Sequence, residues 1–162
     1  MGKKGKKVDY EEHKKLGISL FNNTWNLIDK KDRTKDEEDE MIHSAHASRY
    51  HWGVAIKGNA SGTGTKNYAR GDWQLSYVYS IVGKFEPALY YGQSSLEICL
   101  DNEIGDFDLA FGYEAVARAY SLNPEKSSEL KEIIEKANIA GNKIDKKEDK
   151  DYFFSQLKTI KS

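Results

Sequence analysis

The chain of 162 residues has one cysteine, two prolines, four arginines and a formal net charge of only −1. Each scarcity excludes something. A lone Cys99 forms no intrachain disulfide, so nothing calls for an oxidising compartment, and a reducing cytoplasmic setting is expected. Two prolines are too few for the turn-rich chain of a β-sandwich. A near-neutral balance gives no global attraction to nucleic acid or anionic membrane, so any partner must be recognised by a local patch. No apolar run approaches the roughly 18 residues of a transmembrane helix. The opening MGKKGKKVDY is basic, but Asp9, Glu11 and Glu12 stand where a signal peptide needs an apolar stretch. Lys6 stands where a myristoylation motif wants Ser or Thr. Residues 1–7 are read as a mobile basic tail and residues 8–162 as a single domain.

What is present is helical periodicity. Ile18, Phe21, Trp25 and Ile28 recur on one face and predict a helix over 9–30. Carboxylates after Lys30 favour a second helix start, giving a helix from about Asp36 to Lys57. The glycine-bearing stretch 57–67 is the clearest linker. Further helices are expected over 66–82, from Phe85 to near Asn102 with Pro87 in the first turn, over 106–122, from Pro124 to about Ala140, and from about 146 to Ile160. No stretch alternates with period two. The fold class is therefore all-α, about seven helices joined by short connections and packed as antiparallel hairpins.

The segment Asp72 to Leu100, DWQLSYVYSIVGKFEPALYYGQSSLEICL, resembles one tetratricopeptide repeat unit, with Leu75, Ser76, Tyr79, Gly83, Ala88 and Ser95 in register. It departs from the pattern at Asp72, where the large opening residue comes one position late as Trp73, and at Gly92, where an aromatic is displaced to Tyr91. Residues 114–137 give a weaker echo. The resemblance thus covers about half the chain. It implies a right-handed stack of helix hairpins whose concave face binds protein or peptide. The stretch HASRYHW, residues 46–52, is also similar to one in small bacterial helical proteins of unassigned function, which brings no activity with it.

Three of the four histidines, His43, His46 and His51, fall within ten residues. His43 and His46 have the spacing to face one ion, but His51 projects elsewhere and no second cluster supplies a third ligand. No metal and no cofactor are expected. Cys99, between Ile98 and Leu100, reads as a small core hydrophobe rather than a nucleophile. The loop GNASGTGTK, residues 58–66, lacks the Gly-Lys step and the preceding strand of a phosphate loop.

Arginine placement carries more. Lysine outnumbers arginine 21 to 4, yet Arg49, Arg70 and Arg118 lie in the central segment 41–122, which holds three lysines and 13 of the 19 aromatics. A planar fork among aromatics suits a bidentate carboxylate or phosphate contact, or stacking. The structural alternative is internal pairing, Arg118 with Glu114 at i, i+4 and the others with Asp72 or Asp108. The expected site is a groove where Arg49 and Arg70 clamp an anion, His46 and Gln74 add hydrogen bonds, Tyr77 forms a wall and Arg118 contributes charge. The expected partner is an acidic peptide or protein or a small anion. Neither nucleic acid nor membrane is expected, and a homo-oligomer is compatible with the exposed aromatics. The alternative is an enzyme using His43, His46 or His51 as general acid or base on an anionic substrate.

Overall fold

Helix starts and stops in this chain are written by side chains that supply the backbone partners a helix terminus lacks. In the computed structural model, which describes residues 7–161, seven α-helices run in order: α1 Tyr10–Ile28, α2 Lys35–Lys57, α3 Thr65–Ile81, α4 Phe85–Asp101, α5 Asp106–Tyr120, α6 Ser127–Asn142 and α7 Lys147–Leu157. A 3-10 turn, Pro124–Lys126, leads into α6. The described residues contain no strand. The basic tail expected over 1–7 lies outside the described residues except for Lys7.

Asp9 caps α1 by accepting from Glu12 N at 3.0 Å. Thr34 and Glu37 form a reciprocal capping box at the start of α2, which gives two orphan donors their acceptors. Arg33, the one arginine outside the central segment, donates to the carbonyls of Leu27, Ile28 and Lys30 and so closes α1. Three successive helices end the same way. After α2, α3 and α4 the chain passes through a left-handed residue, Asn59 (φ 54°), Gly83 (φ 70°) and Glu103 (φ 53°). The next amide then returns to the last turn: Ala60 N to Ala55 O, Lys84 N to Tyr79 O and Ile104 N to Cys99 O, each 2.9 Å. These are Schellman stops. Short connections follow from them, and short connections force neighbours to be antiparallel.

Each helix packs on the next, from α1 on α2 through to α6 on α7, while the substantial contacts that skip a helix join α3 to α5 and α5 to α7. Small residues bring the axes close. Gly17 of α1 lies under the Trp52 ring of α2, and an added Cβ would meet it at 3.1 Å. Buried serines fasten neighbouring helices by donating to their carbonyls: Ser48 to Gly17 O, Ser76 to Ala88 O and Ser95 to Ala69 O. One apolar cluster joins α2 to α3 through Met41, Ala45, Leu75 and Val78. The other joins α5, α6 and α7 around Phe111, Ala137, Ile144 and Phe153, with Trp73 of α3 packed against it. No helix among the described residues is long and apolar enough to cross a membrane.

Candidate functional site: an aromatic groove along the odd helices

Because α3, α5 and α7 stand side by side, their faces make one continuous surface. A cavity of about 540 Å³ opens on it. Phe21 and Trp25 of α1, Trp73 of α3, Phe107 and Phe111 of α5 and Tyr152 of α7 supply its aromatic lining. Trp25 and Trp73 lie 5.5 Å apart at 33°, and Phe111 meets Trp73 edge-on at 5.5 Å. Tyr77 stacks behind Trp73 at 5.7 Å and 21°. The volume falls within the range of small-ligand and side-chain pockets.

Charge is distributed unevenly around this lining. At the α3 end, Arg70 donates Nε and Nη2 to the two carboxylate oxygens of Asp108 at 2.7 and 3.1 Å. Lys66 Nζ lies 3.7 Å from the same carboxylate. Two cations therefore share one acid, and the Arg70 side chain remains 51% exposed. Hydrogen bonding to Asp108 raises the Arg70 pKa further, so its charge is permanent. Lys146, Asp106 and Asp149 also line the cavity, one cation against two acids. Asp106 sits in the left-handed region (φ 56°) and accepts from Asp145 N at 3.1 Å, which ties the start of α5 to the α6–α7 connection.

The six residues expected to form a site are distributed as follows. Arg70 lines the groove and also a smaller neighbouring cavity of about 130 Å³ between α1, α2 and α3. Arg49 does not share either cavity; its Nε donates to Asp72 at 2.6 Å and its guanidinium stacks 4.2 Å from the Tyr68 ring centroid. Ser94 holds the other oxygen of Asp72 at 2.7 Å, so this acid is fully engaged. Gln74 is buried and donates to Phe21 O at 3.1 Å, bonding α3 to α1 behind the groove. Tyr77 backs the aromatic lining, and Arg118 lies 5.2 Å from its ring centroid. Arg118 is held by the buried Glu114 and by Gln156 O and Thr159 Oγ1 at 3.1 and 2.9 Å. Burial pushes the Glu114 carboxyl up against the opposing pull of Arg118 and Trp73. Trp73 Nε1 and Glu114 Oε2 nonetheless both fall short of hydrogen-bond geometry. His46 faces the other way, its Nε2 2.8 Å from Tyr79 Oη and its ring edge-on to Tyr91.

The histidines do not gather around a cavity. His43 is exposed, His46 meets Tyr79, and His51 pairs across helices with His13, Nδ1 to Nδ1 at 2.8 Å. Among the described residues no group of three or more His, Cys, Asp or Glu is placed to hold a metal ion. Cys99 is buried in α4, and burial pushes its thiol up to about 11, which removes the thiolate a nucleophile needs. The loop 58–64 is fastened to α1 through Ser61, whose N donates to Glu11 at 2.6 Å and whose carbonyl accepts from Lys14.

The sequence reading missed Lys66, Asp108, Trp25 and Phe107 as a set. Their signal is weak because three separate helices, α1, α3 and α5, supply them, and only the α3–α5 packing brings Asp108 to Arg70. Fold and groove together define an all-α protein of stacked helices with an aromatic, charge-rimmed cleft. Compared with family models, curated proteins and solved structures, the chain matches none.

Proposed function

We propose that this chain is a recognition module of the tetratricopeptide kind, and that its odd-helix groove holds a peptide segment. The reading rests on Arg70. Of the three central arginines it alone borders the large cavity, and it is the most exposed, at 51% against 25% for Arg49 and 15% for Arg118. An arginine whose fork is turned wholly to an internal acid is structural. One that shares its acid with a lysine beside an open aromatic cleft has charge left for a guest.

The ligand presents an aromatic or large aliphatic side chain to Trp25, Trp73 and Phe107, and a carboxylate to Lys66 and Arg70. The acids Asp106 and Asp149, which also line the cavity with Lys146, accept peptide N–H groups or a basic side chain. The resemblance of residues 72–100 to a tetratricopeptide unit supports this, since it implies stacked hairpins with a concave face that binds protein or peptide. Tyr77, Gln74 and Arg118 then act behind the lining, holding Trp73 and the α1–α3 contact in place. A reducing compartment suits the chain, whose only thiol is buried.

The test is binding of N-acetyl-Gly-Phe with a free C-terminus against its C-terminal amide, followed by tryptophan fluorescence. Trp25 and Trp73 report directly because both line the groove. Saturable binding of the acid, weaker binding of the amide and a steep loss with added salt support the reading. Equal response to acid and amide, or none to either, contradicts it.

A further inference from the structure

The fourth histidine is invisible to the reading of the 43–52 stretch, because 38 residues separate His13 from His51. The antiparallel crossing of α1 and α2 brings the two rings together, tilted at 44°. The register is fixed independently on both sides. One turn earlier in α1, Tyr10 covers Gly58 so closely that a Cβ there would lie 2.1 Å from its ring. One turn later, Gly17 receives Trp52 and its carbonyl accepts from Ser48 at 2.8 Å. Glu11 and Lys14, flanking His13, clasp the backbone of Ser61. The imidazoles are thus held together by the helix pair itself, with centroids 4.8 Å apart and the exposed Tyr50 edge-on to both.

We infer that His13 and His51 form a two-nitrogen chelate for a borderline divalent ion, Cu²⁺ or Ni²⁺, across the α1–α2 crossing. Two nitrogens each about 2.0 Å from one ion stand about 2.8 Å apart across a right angle and about 3.3 Å apart across a tetrahedral angle. The observed 2.8 Å is the spacing of the hydrogen bond between the rings, so a small rotation of each ring brings both nitrogens onto one ion. Cu²⁺, with Ni²⁺ next below it, heads the affinity order of divalent ions for such nitrogen sites. Imidazole nitrogen excludes Ca²⁺ and Mg²⁺, which take oxygen. Both side chains are only partly buried, so water completes the coordination. In the metal-free pair one ring donates its Nδ1 hydrogen to the other. On binding, that hydrogen moves to the same ring's Nε2, and both Nδ1 lone pairs turn to the ion with no net proton released at neutral pH.

The experiment uses the full chain titrated with copper(II) sulfate at pH 7.5 in a non-chelating buffer, read by electron paramagnetic resonance and by thermal melting. The expected result is one tightly bound equivalent whose superhyperfine pattern counts two imidazole nitrogens, with Tm raised by the ion. His13→Asn and His51→Asn keep an amide near the lost Nδ1. Each weakens binding by about tenfold or more, because a single imidazole loses the effective concentration of its neighbour. His43→Asn, which removes the His43–His46 spacing, leaves binding unchanged. One nitrogen or none in the parent spectrum, undiminished binding in both His13→Asn and His51→Asn, or a loss on His43→Asn equal to theirs overturns the assignment.

Discussion

Asp108 holds Arg70 with both carboxylate oxygens, at 2.7 and 3.1 Å, and does so from α5 to α3. The pair is both a clamp between alternate helices and the basic edge of the groove. Asp108→Asn keeps the shape of the acid and removes its charge, so a ligand carboxylate meets Arg70 and Lys66 without a competitor. Affinity for N-acetyl-Gly-Phe rises severalfold in this variant and falls in Arg70→Gln. Arg70 is half exposed but the Asp108 side chain is only 8% exposed, so Arg70→Gln costs more than the ~0.5–1 kcal/mol of a surface pair, with Lys66 left to hold the acid. Parallel fluorescence titrations and urea melts check both halves.

Glu114 and Arg118 behave differently because Glu114 is wholly buried. Removing one partner strands the other away from water, and such losses run to about 3–5 kcal/mol. Glu114→Ala and Arg118→Ala therefore each lower the urea midpoint far more than Arg70→Gln does. In Arg118→Ala the Glu114 carboxyl loses its opposing cation and takes up a proton more readily.

The pH dependence has a definite sign. Burial first, and the neighbouring His43 second, holds the His46 pKa below its ordinary value. Burial and then His13 do the same for His51. A histidine depressed in the folded state binds more protons when unfolded, so its contribution is fully present above its unfolded pKa of about 6.5 and is lost as pH falls below that value. The groups facing His46 are Tyr79, Tyr91 and His43, and those facing His51 are His13 and Tyr50; none is an acid that would reverse the sign. Tm measured from pH 7.5 down to 5.5 falls in the parent, and His51→Asn flattens that slope.

The three Schellman stops are unequal. Gly83 adopts φ 70° freely, whereas Glu103 adopts φ 53° with a side chain that resists it. Glu103→Gly relieves that strain and stabilises by about 1 kcal/mol, whereas Gly83→Ala destabilises by a similar amount. Differential scanning calorimetry should show opposite shifts of about 2–4 °C.

Helices were legible in the sequence because each carries its own local instructions. The Thr34–Glu37 box, the Pro87 first turn and the Asn123–Pro124 break all act within a few residues, and the elements begin and end close to where these signals stand. The pairing of arginines with Asp72, Asp108 and Glu114 was legible as a set of available acids. Which arginine would keep an open side was not, because that depends on the helix crossings. Arg49 and Arg70 both lie among aromatics in the sequence, yet Arg49 turns to Asp72 and Tyr68 while Arg70 reaches the rim. Gln74 shows the same limit: its helical spacing places it with Arg70 and Tyr77, but the approach of α1 buries it against Phe21 O. His13 was beyond reach for a like reason, since only the antiparallel register of α1 and α2 brings it to His51.

The central claim is that a peptide carboxylate and its neighbouring side chain seat together between Arg70 and the paired indoles. The most direct measurement is the two-dimensional ¹H–¹⁵N spectrum of the chain during titration with N-acetyl-Gly-Phe, following the indole N–H signals of Trp25, Trp73 and Trp52. The account predicts that Trp25 and Trp73 move in a saturable way while Trp52, packed on Gly17 and bordering only the smaller cavity, moves far less, and that Arg70→Gln weakens the titration. Movement of all three indoles alike, or an unchanged titration in Arg70→Gln, would contradict it.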